Sequence, residues 1–383
     1  GGVAYSGPQR LDPEVLAALE KLIPLAPLHL PHNLAPARAV MAMAPDVPQI
    51  GCFDTAFHVG QPAEAQAFAL PARITEQGVR RYGFHGLSYE YIASRLPEAD
   101  PELALAAAAY YGAPLMLPVA GTQAAIQALP RLRNPSRVTV AAPSYAEHAH
   151  HWKDHGHTLT QTPYEALDAA VAHSDVMVVC NPNNPTGASV PATQLLQWAD
   201  RLAARGGWLV VDEAFGDTAQ HNSVAAHSGR PGLIVLRSVG KFFGLAGIRL
   251  GFVAAHADLL RELADLLGPW AVSGPAQHIA LAALRDQAWQ ANTLQQLLAS
   301  GDRLRHLLAI HDIRSTGTAL FQWWSEDRAE AFWHHMAERG IWVRLFKQAA
   351  RGIRLGLPPD EPGWQRLEMA LKEWNNKEPA CTN

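Results

Sequence analysis

The sequence predicts an α/β fold, with a large domain on a mostly parallel sheet and a smaller α/β domain at the C-terminal end. Three observations lead there. Val176–Cys180, Trp208–Val211 and Leu233–Leu236 are continuous apolar runs rather than alternating ones, the pattern of strands buried on both faces. The helical stretch Gln194–Arg205, closed by Gly206-Gly207, fits the crossover between the first two strands. Polar residues then follow the strand ends, Asn181 after the first run and Asp212 after the second, where α/β sheets place their ligands.

The whole chain narrows the function classes. Its 383 residues suffice for two or three domains and a large core, and 48% hydrophobic with 17% charged residues is an ordinary globular composition. A net charge of −4 favours neither nucleic acid nor an anionic membrane. Cys52, Cys180 and Cys381 are far apart and odd in number, so no disulfide or zinc pattern follows, and a cytoplasmic location is expected. No apolar run reaches the roughly 18 residues that span a bilayer, and no signal peptide is recognised. The opening Gly1-Gly2, in place of Met, is expected to mark a truncated or processed start.

Asp12 and Pro13 open a helix through Lys21, as N-cap and first helical residue, with Leu16, Leu19 and Ile23 at helical spacing. Pro24, Pro27 and Pro31 predict a loop. Val47–Asp54 reads as a buried strand ending on a carboxylate, Arg80–Gly86 as a glycine-flanked loop and Ser88–Arg95 as a helix. A third helix runs from Pro101 to Tyr111. Gly121-Thr122-Gln123 opens the next, Ala124–Leu129, whose free N–H groups suit a phosphate. Arg137–Ala142 is a strand, followed by Tyr145. His148, His150, His151, His155 and His157 read as a solvated polar stretch without metal, because no carboxylate pair completes a site. Gly247–Ala255 is a further strand. In the C-terminal part, Ala288–His311 and Ala329–Arg339 are helices. Ala319–Trp324, Ile341–Arg344 and Arg351–Gly356 are strands, and Asn376–Asn383 is a disordered tail.

The chemistry concentrates in Arg237–Gly251. Lys241 sits among small and apolar residues, which lowers an amine pKa and favours the nucleophilic form that joins an aldehyde as a Schiff base. Ser238 and Arg249 supply a hydroxyl and a bidentate guanidinium for a phosphate. An aldehyde that carries a phosphate is pyridoxal phosphate. Asp212 is placed to pair with its protonated pyridine nitrogen, and Asn184 to hydrogen-bond its ring hydroxyl.

These residues, with Tyr110–Pro114, Leu117–Ile126, Asp212-Glu-Ala-Phe215, Asn181–Gly187, Gly268–Gly274 and Leu355–Pro358, resemble the fold-type I pyridoxal-phosphate enzymes. Among them the chain from about residue 96 is most similar to the threonine-phosphate decarboxylases of cobalamin biosynthesis, relatives of histidinol-phosphate aminotransferase. The resemblance implies a three-layer αβα cofactor domain over 96–259, a small domain over 260–375 and a homodimer. It assigns Gly121, Thr122 and Gln123 to the cofactor phosphate and Tyr145 to stacking on the ring. Arg354 is assigned to the substrate carboxylate, with Arg351 as the neighbouring candidate. Phe215 stands where many relatives carry a tyrosine bonded to the ring hydroxyl. The implied reaction is decarboxylation of L-threonine O-3-phosphate to an aminopropanol phosphate, with Lys241 as proton donor. Transamination of the histidinol-phosphate type and a non-enzymatic chimera are the alternatives.

Residues 1–95 resemble a different family, acetate kinase, through Pro24–His29, Phe53–His58 and Tyr82–Gly86. That likeness implies His29 at an acyl-phosphate site, Asp54 as a catalytic or metal-binding carboxylate and His85 at the transferred phosphoryl group. The kinase opening segment and nucleotide-binding half are absent, and phosphoryl transfer needs a held nucleotide. These three residues are therefore expected to be relics. The two resemblances meet near Ala93–Glu98, the join of a chimera.

Overall fold

The computed structural model describes residues 5, 7–27, 29–56, 74, 102–348 and 350–375. The chain divides into two compact units, Gly1–Glu98 and Ala99–Asn383. His85, the helix expected at Ser88–Arg95, the join at Ala93–Glu98 and the tail from Asn376 lie outside the described residues.

In the first unit, the Val15 N–H donates to the Asp12 carboxylate at 2.8 Å and starts the helix Pro13–Glu20. Leu16 and Leu19 bury against Leu34 of a second helix, Leu30–Met43. That helix replaces part of the expected proline loop. Pro31 falls in its first turn, where a missing N–H costs nothing. The strand expected over Val47–Asp54 is a correction. Only β2 (Ile50–Gly51) pairs, antiparallel to β1 (Gln9–Arg10), and Val47 and Ile50 are exposed. A two-residue ladder has no second face to bury an apolar run.

The second unit begins with a helix over 102–111 and is built on a seven-stranded sheet. Its strands are β3 (Leu117–Val119), β4 (Arg137–Ala142), β5 (Thr158–Pro163), β6 (Val176–Cys180), β7 (Trp208–Asp212), β8 (Leu233–Ser238) and β9 (Gly251–Ala254). The spatial order is β3-β9-β8-β7-β6-β4-β5; β4 to β8 run parallel, and β9 is antiparallel to both of its neighbours. Successive residues serve opposite faces. Met177, Val179 and Leu209 enter one core with the helices 102–111, Ala192–Ala203 and Gly274–Arg285. Val176, Val178 and Val210 enter the other with Thr122–Ala128, Ala146–Asp154 and Ala257–Leu267. Double burial explains the continuous apolar runs, and the result is the three-layer αβα arrangement of the fold-type I enzymes.

The long helix Gln287–Ile310 leaves this core: Leu294 and Leu297 pack on the large sheet, whereas Leu304 and Leu308 belong to a third core. That core lies under an antiparallel sheet of order β10-β11-β13-β12, formed by β10 (Thr316–Thr318), β11 (Phe321–Trp324), β12 (Arg344–Phe346) and β13 (Gly352–Gly356). The strand expected at Ile341–Arg344 thus starts only at Arg344. Trp342 is exposed and finds no strand partner. Likewise Ala246–Ile248 is a 3-10 turn ahead of β9, not part of the strand.

Candidate active site

One cavity of ≈ 300 Å³ opens over the C-terminal ends of β6, β7 and β8. Its lining includes Gly121, Thr122, Gln123, Tyr145, Asn184, Asp212, Ser238, Lys241 and Arg249, nine of the residues singled out in the sequence. They arrive from several strand ends and from the helix N-terminus at Gly121, which is why ligands gather at this edge of an α/β sheet.

Asp212 ends β7 and is almost wholly buried. One carboxylate oxygen accepts the Ala214 N–H at 3.0 Å, and the other lies 2.9 Å from Nε2 of His148. His148 was read from the sequence as part of a solvated stretch. The structure corrects this: His148 and His157 are buried, whereas His150 and His155 are exposed. Ala146–Asp154 is an amphipathic helix whose inner face carries His148 and Trp152, so spacing on that helix was the available signal. His157 is held by the Ser136 N–H and the Pro130 carbonyl. Burial works to lower the His148 pKa. The bond to Asp212 and the neighbouring Cys180 sulfur override it and push it up to about 10. The floor of the cavity is therefore an imidazolium–carboxylate pair.

Lys241 projects at the open mouth. Burial of its surroundings, then the positive charge of Arg354, lowers its pKa, with Asp212 opposing. Its Nζ lies 5.2 Å from the centroid of the Phe215 ring and makes no hydrogen bond or ion pair among the described residues. Phe215 packs edge-on against Phe321 of β11, with ring centroids 5.2 Å apart.

At the other end of the cavity, Ser238 terminates β8 and its Oγ accepts the Gly240 N–H at 3.2 Å. Arg249 adopts φ 55° beside Gly121, the N-cap of the helix Thr122–Ala128. Gly121 lies at φ +74°, a left-handed conformation that favours glycine, and a Cβ there would lie 2.9 Å from the Arg249 guanidinium and push that group aside. Tyr145 presents its ring to the cavity, with its hydroxyl donating to Gln123 at 3.4 Å.

Asn184 joins the two sheets: its side-chain oxygen accepts a hydrogen bond from Arg354 of β13. The amide nitrogen stays available as a donor. Arg351 points elsewhere and donates to the Asp327 carbonyl at 2.8 Å. Arg344 is directly opposite Arg354 in the β12–β13 ladder and so shares its face, a second guanidinium not singled out in the sequence. Of the kinase-like residues, His29 and Asp54 belong to the other unit, and His85 lies outside the described residues.

The donor set fits pyridoxal phosphate. A hydroxyl, a guanidinium and first-turn N–H groups converge at one end, a buried carboxylate stands at the floor, and an amine of lowered pKa sits at the mouth. Comparison with known proteins agrees with this geometry. The acetokinase family model matches residues 1–102, and the model for aminotransferase class I and II matches 60–381. A threonine-phosphate decarboxylase of Pseudomonas aeruginosa is 51% identical over 288 residues, 75% of this chain and 86% of the relative. An acetate kinase of Rhodopseudomonas palustris is 59% identical over 98 residues, 26% of this chain and a quarter of the kinase. Among solved structures, the L-threonine-O-3-phosphate decarboxylase of Porphyromonas gingivalis aligns with TM-score 0.64 at 21% identity, over 76% of this chain and 95% of that one. A histidinol-phosphate aminotransferase from Sinorhizobium meliloti, in complex with pyridoxal-5'-phosphate, aligns with TM-score 0.65 at 23% identity, over 74% and 86%. The last two likenesses bear on the fold, whereas the 51% relative and the family match over most of the chain decide kinship. The chain belongs to the aminotransferase class I and II family, with an acetate-kinase-like segment at its N-terminal end.

Proposed function

We propose that the protein is a pyridoxal-phosphate enzyme that decarboxylates L-threonine O-3-phosphate. The observation that carries this reading is a charge imbalance. Lys241 and Arg249 line the cavity, Arg354 reaches its lining residue Asn184, and Arg344 lies opposite Arg354; none of the four has a carboxylate partner among the described residues, while the one carboxylate lining the cavity, Asp212, is paired with His148. Such a site favours several negative charges at once. A cofactor phosphate and a substrate bearing both a carboxylate and a phosphate provide them.

When bound, pyridoxal phosphate supplies an electron sink for a bond broken at the substrate Cα. The residues of the chain do the rest. Lys241 would hold the aldehyde carbon, and its lowered pKa favours the neutral, nucleophilic amine. Ser238, Arg249 and the N–H groups of Thr122 and Gln123 would anchor the phosphate. Tyr145 would cover one ring face, and the Asn184 amide N–H would be the donor to the ring hydroxyl. Asp212, held by its bond to His148, would face the ring nitrogen. Arg354 grips the α-carboxylate and Arg344 the substrate phosphate. The substrate amine would take the place of Lys241 on the aldehyde carbon and free the lysine; as carbon dioxide leaves, the bonding pair would pass to the electron sink, and Lys241 would return a proton to Cα. A homodimer is the assembly proposed, since Leu105, Trp270 and Trp289 leave apolar surface that a second copy would cover.

The test is product analysis. Incubation with pyridoxal phosphate and phosphothreonine is expected to release carbon dioxide and an amine, at a rate that Lys241→Ala lowers by at least about a thousandfold. A keto acid as the principal product would move the assignment to transamination.

A further inference from the structure

Behind the cavity lies a buried ionic cluster that the chemistry above does not use. Arg237 is 1% exposed; it donates to Glu213 at 2.7 Å and to Asp217 at 3.1 Å. Its guanidinium rests 4.2 Å from the centroid of the Tyr111 ring, and the Tyr110 hydroxyl donates to Asp217 at 3.2 Å. Glu213 also accepts the Ser223 hydroxyl at 2.5 Å and the Val224 N–H at 2.8 Å.

Chain position makes this cluster more than filler. Glu213 follows Asp212, and Arg237 precedes Ser238. Side chains alternate along a strand, so Asp212 and Ser238 face the cavity while Glu213 and Arg237 face away from it. The ion pair is thus the rear side of the two strand ends that carry the ring-nitrogen carboxylate and the phosphate hydroxyl. Lys241 follows three residues after Ser238. A buried ion triad contributes little or nothing to stability compared with apolar packing, so its presence calls for another role. The guanidinium is a planar fork held by carboxylates on two sides and by a ring on its face, which leaves it one orientation.

We propose that Arg237 is a positioning residue for the cofactor site: it clamps the end of β8 to the segment after β7, and so fixes Ser238 and Asp212 on the cavity side. Tyr110 and Tyr111, from the first described helix of this unit, close the clamp from behind. The inference rests on the cofactor reading above.

The experiment compares wild type, Arg237→Lys, Tyr110→Phe and the core variant Ile234→Val, which lies on β8 without touching the site. Apo protein is titrated with pyridoxal phosphate by tryptophan fluorescence, and the urea midpoint of each variant is measured alongside. Lysine keeps the charge but cannot fork to both acids, so Arg237→Lys is expected to weaken cofactor binding about tenfold or more. Ile234→Val is expected to lower the urea midpoint and leave binding unchanged. Should Arg237→Lys fail to fold, Tyr110→Phe carries the test, with an expected loss of about threefold. Binding by the folded clamp variant within twofold of wild type, or an equal loss in Ile234→Val, overturns the clamp. Absence of binding by wild type overturns the cofactor reading and the clamp together.

Discussion

His148 shows how one side chain sets the electrostatics of the site. Its pKa is raised from the ordinary 6.5 to about 10, so the Asp212 carboxylate has a cationic partner across the physiological range. A histidine whose folded pKa exceeds its unfolded one contributes stability in full below about pH 6.5, and the contribution fades as pH rises through about 10. His148→Gln keeps a donor toward Asp212 but no charge. It is expected to cost about 1–3 kcal/mol at pH 7. The gap between wild type and variant in urea unfolding should narrow as pH approaches 10; a constant gap would mean that packing, not charge, is what the variant loses. Lys241 has the opposite shift from the same physics: burial and the nearby Arg354 both disfavour its charged form.

Among the elements, the loop after β6 couples the two sheets. The Thr186 carbonyl accepts the Thr316 hydroxyl at 2.7 Å, and Asn184 meets Arg354. Gly187 lies at φ +73°, and a Cβ there would come within 2.4 Å of the Gly317 Cα. Gly187→Ala is therefore expected to destabilise by about 1–3 kcal/mol and to weaken substrate binding, because the loop must back away from β10. Urea unfolding and the KM for phosphothreonine read the two effects. The same physics explains which elements were legible. β6, β7 and β8 are apolar on both faces and announce themselves. β5 is an edge strand, polar along most of its length, and β10 is three residues long; neither carries a periodic signal.

Over the whole molecule, two unrelated pieces meet in one chain. The first 98 residues form a unit of their own with a small core, and they match a quarter of the acetate kinases. Phosphoryl transfer requires a held nucleotide and metal-balanced charge, and the likeness covers only a quarter of the kinase's length. No ATP formation from acetyl phosphate and ADP is expected; a measurable rate that Asp54→Asn abolishes would reverse this. The decarboxylase-like remainder carries every residue lining the cavity.

Local chemistry made much of this legible before any fold was known. A lysine among small residues, a serine and an arginine around it, and a carboxylate at the end of an apolar run are each visible within a few positions, because desolvation and strand burial act locally. The partners were not visible. His148 meets Asp212 across 64 positions, Arg237 reaches Asp217 across 20, and Arg354 reaches Asn184 across 170. These pairs exist because the sheet order β8-β7-β6-β4 gathers the strand ends and the helix after β4, and because β13 of the second sheet reaches the loop after β6. A side chain's charge partner, and so its pKa, follows from which strand ends become neighbours, and sequence spacing carries no record of that.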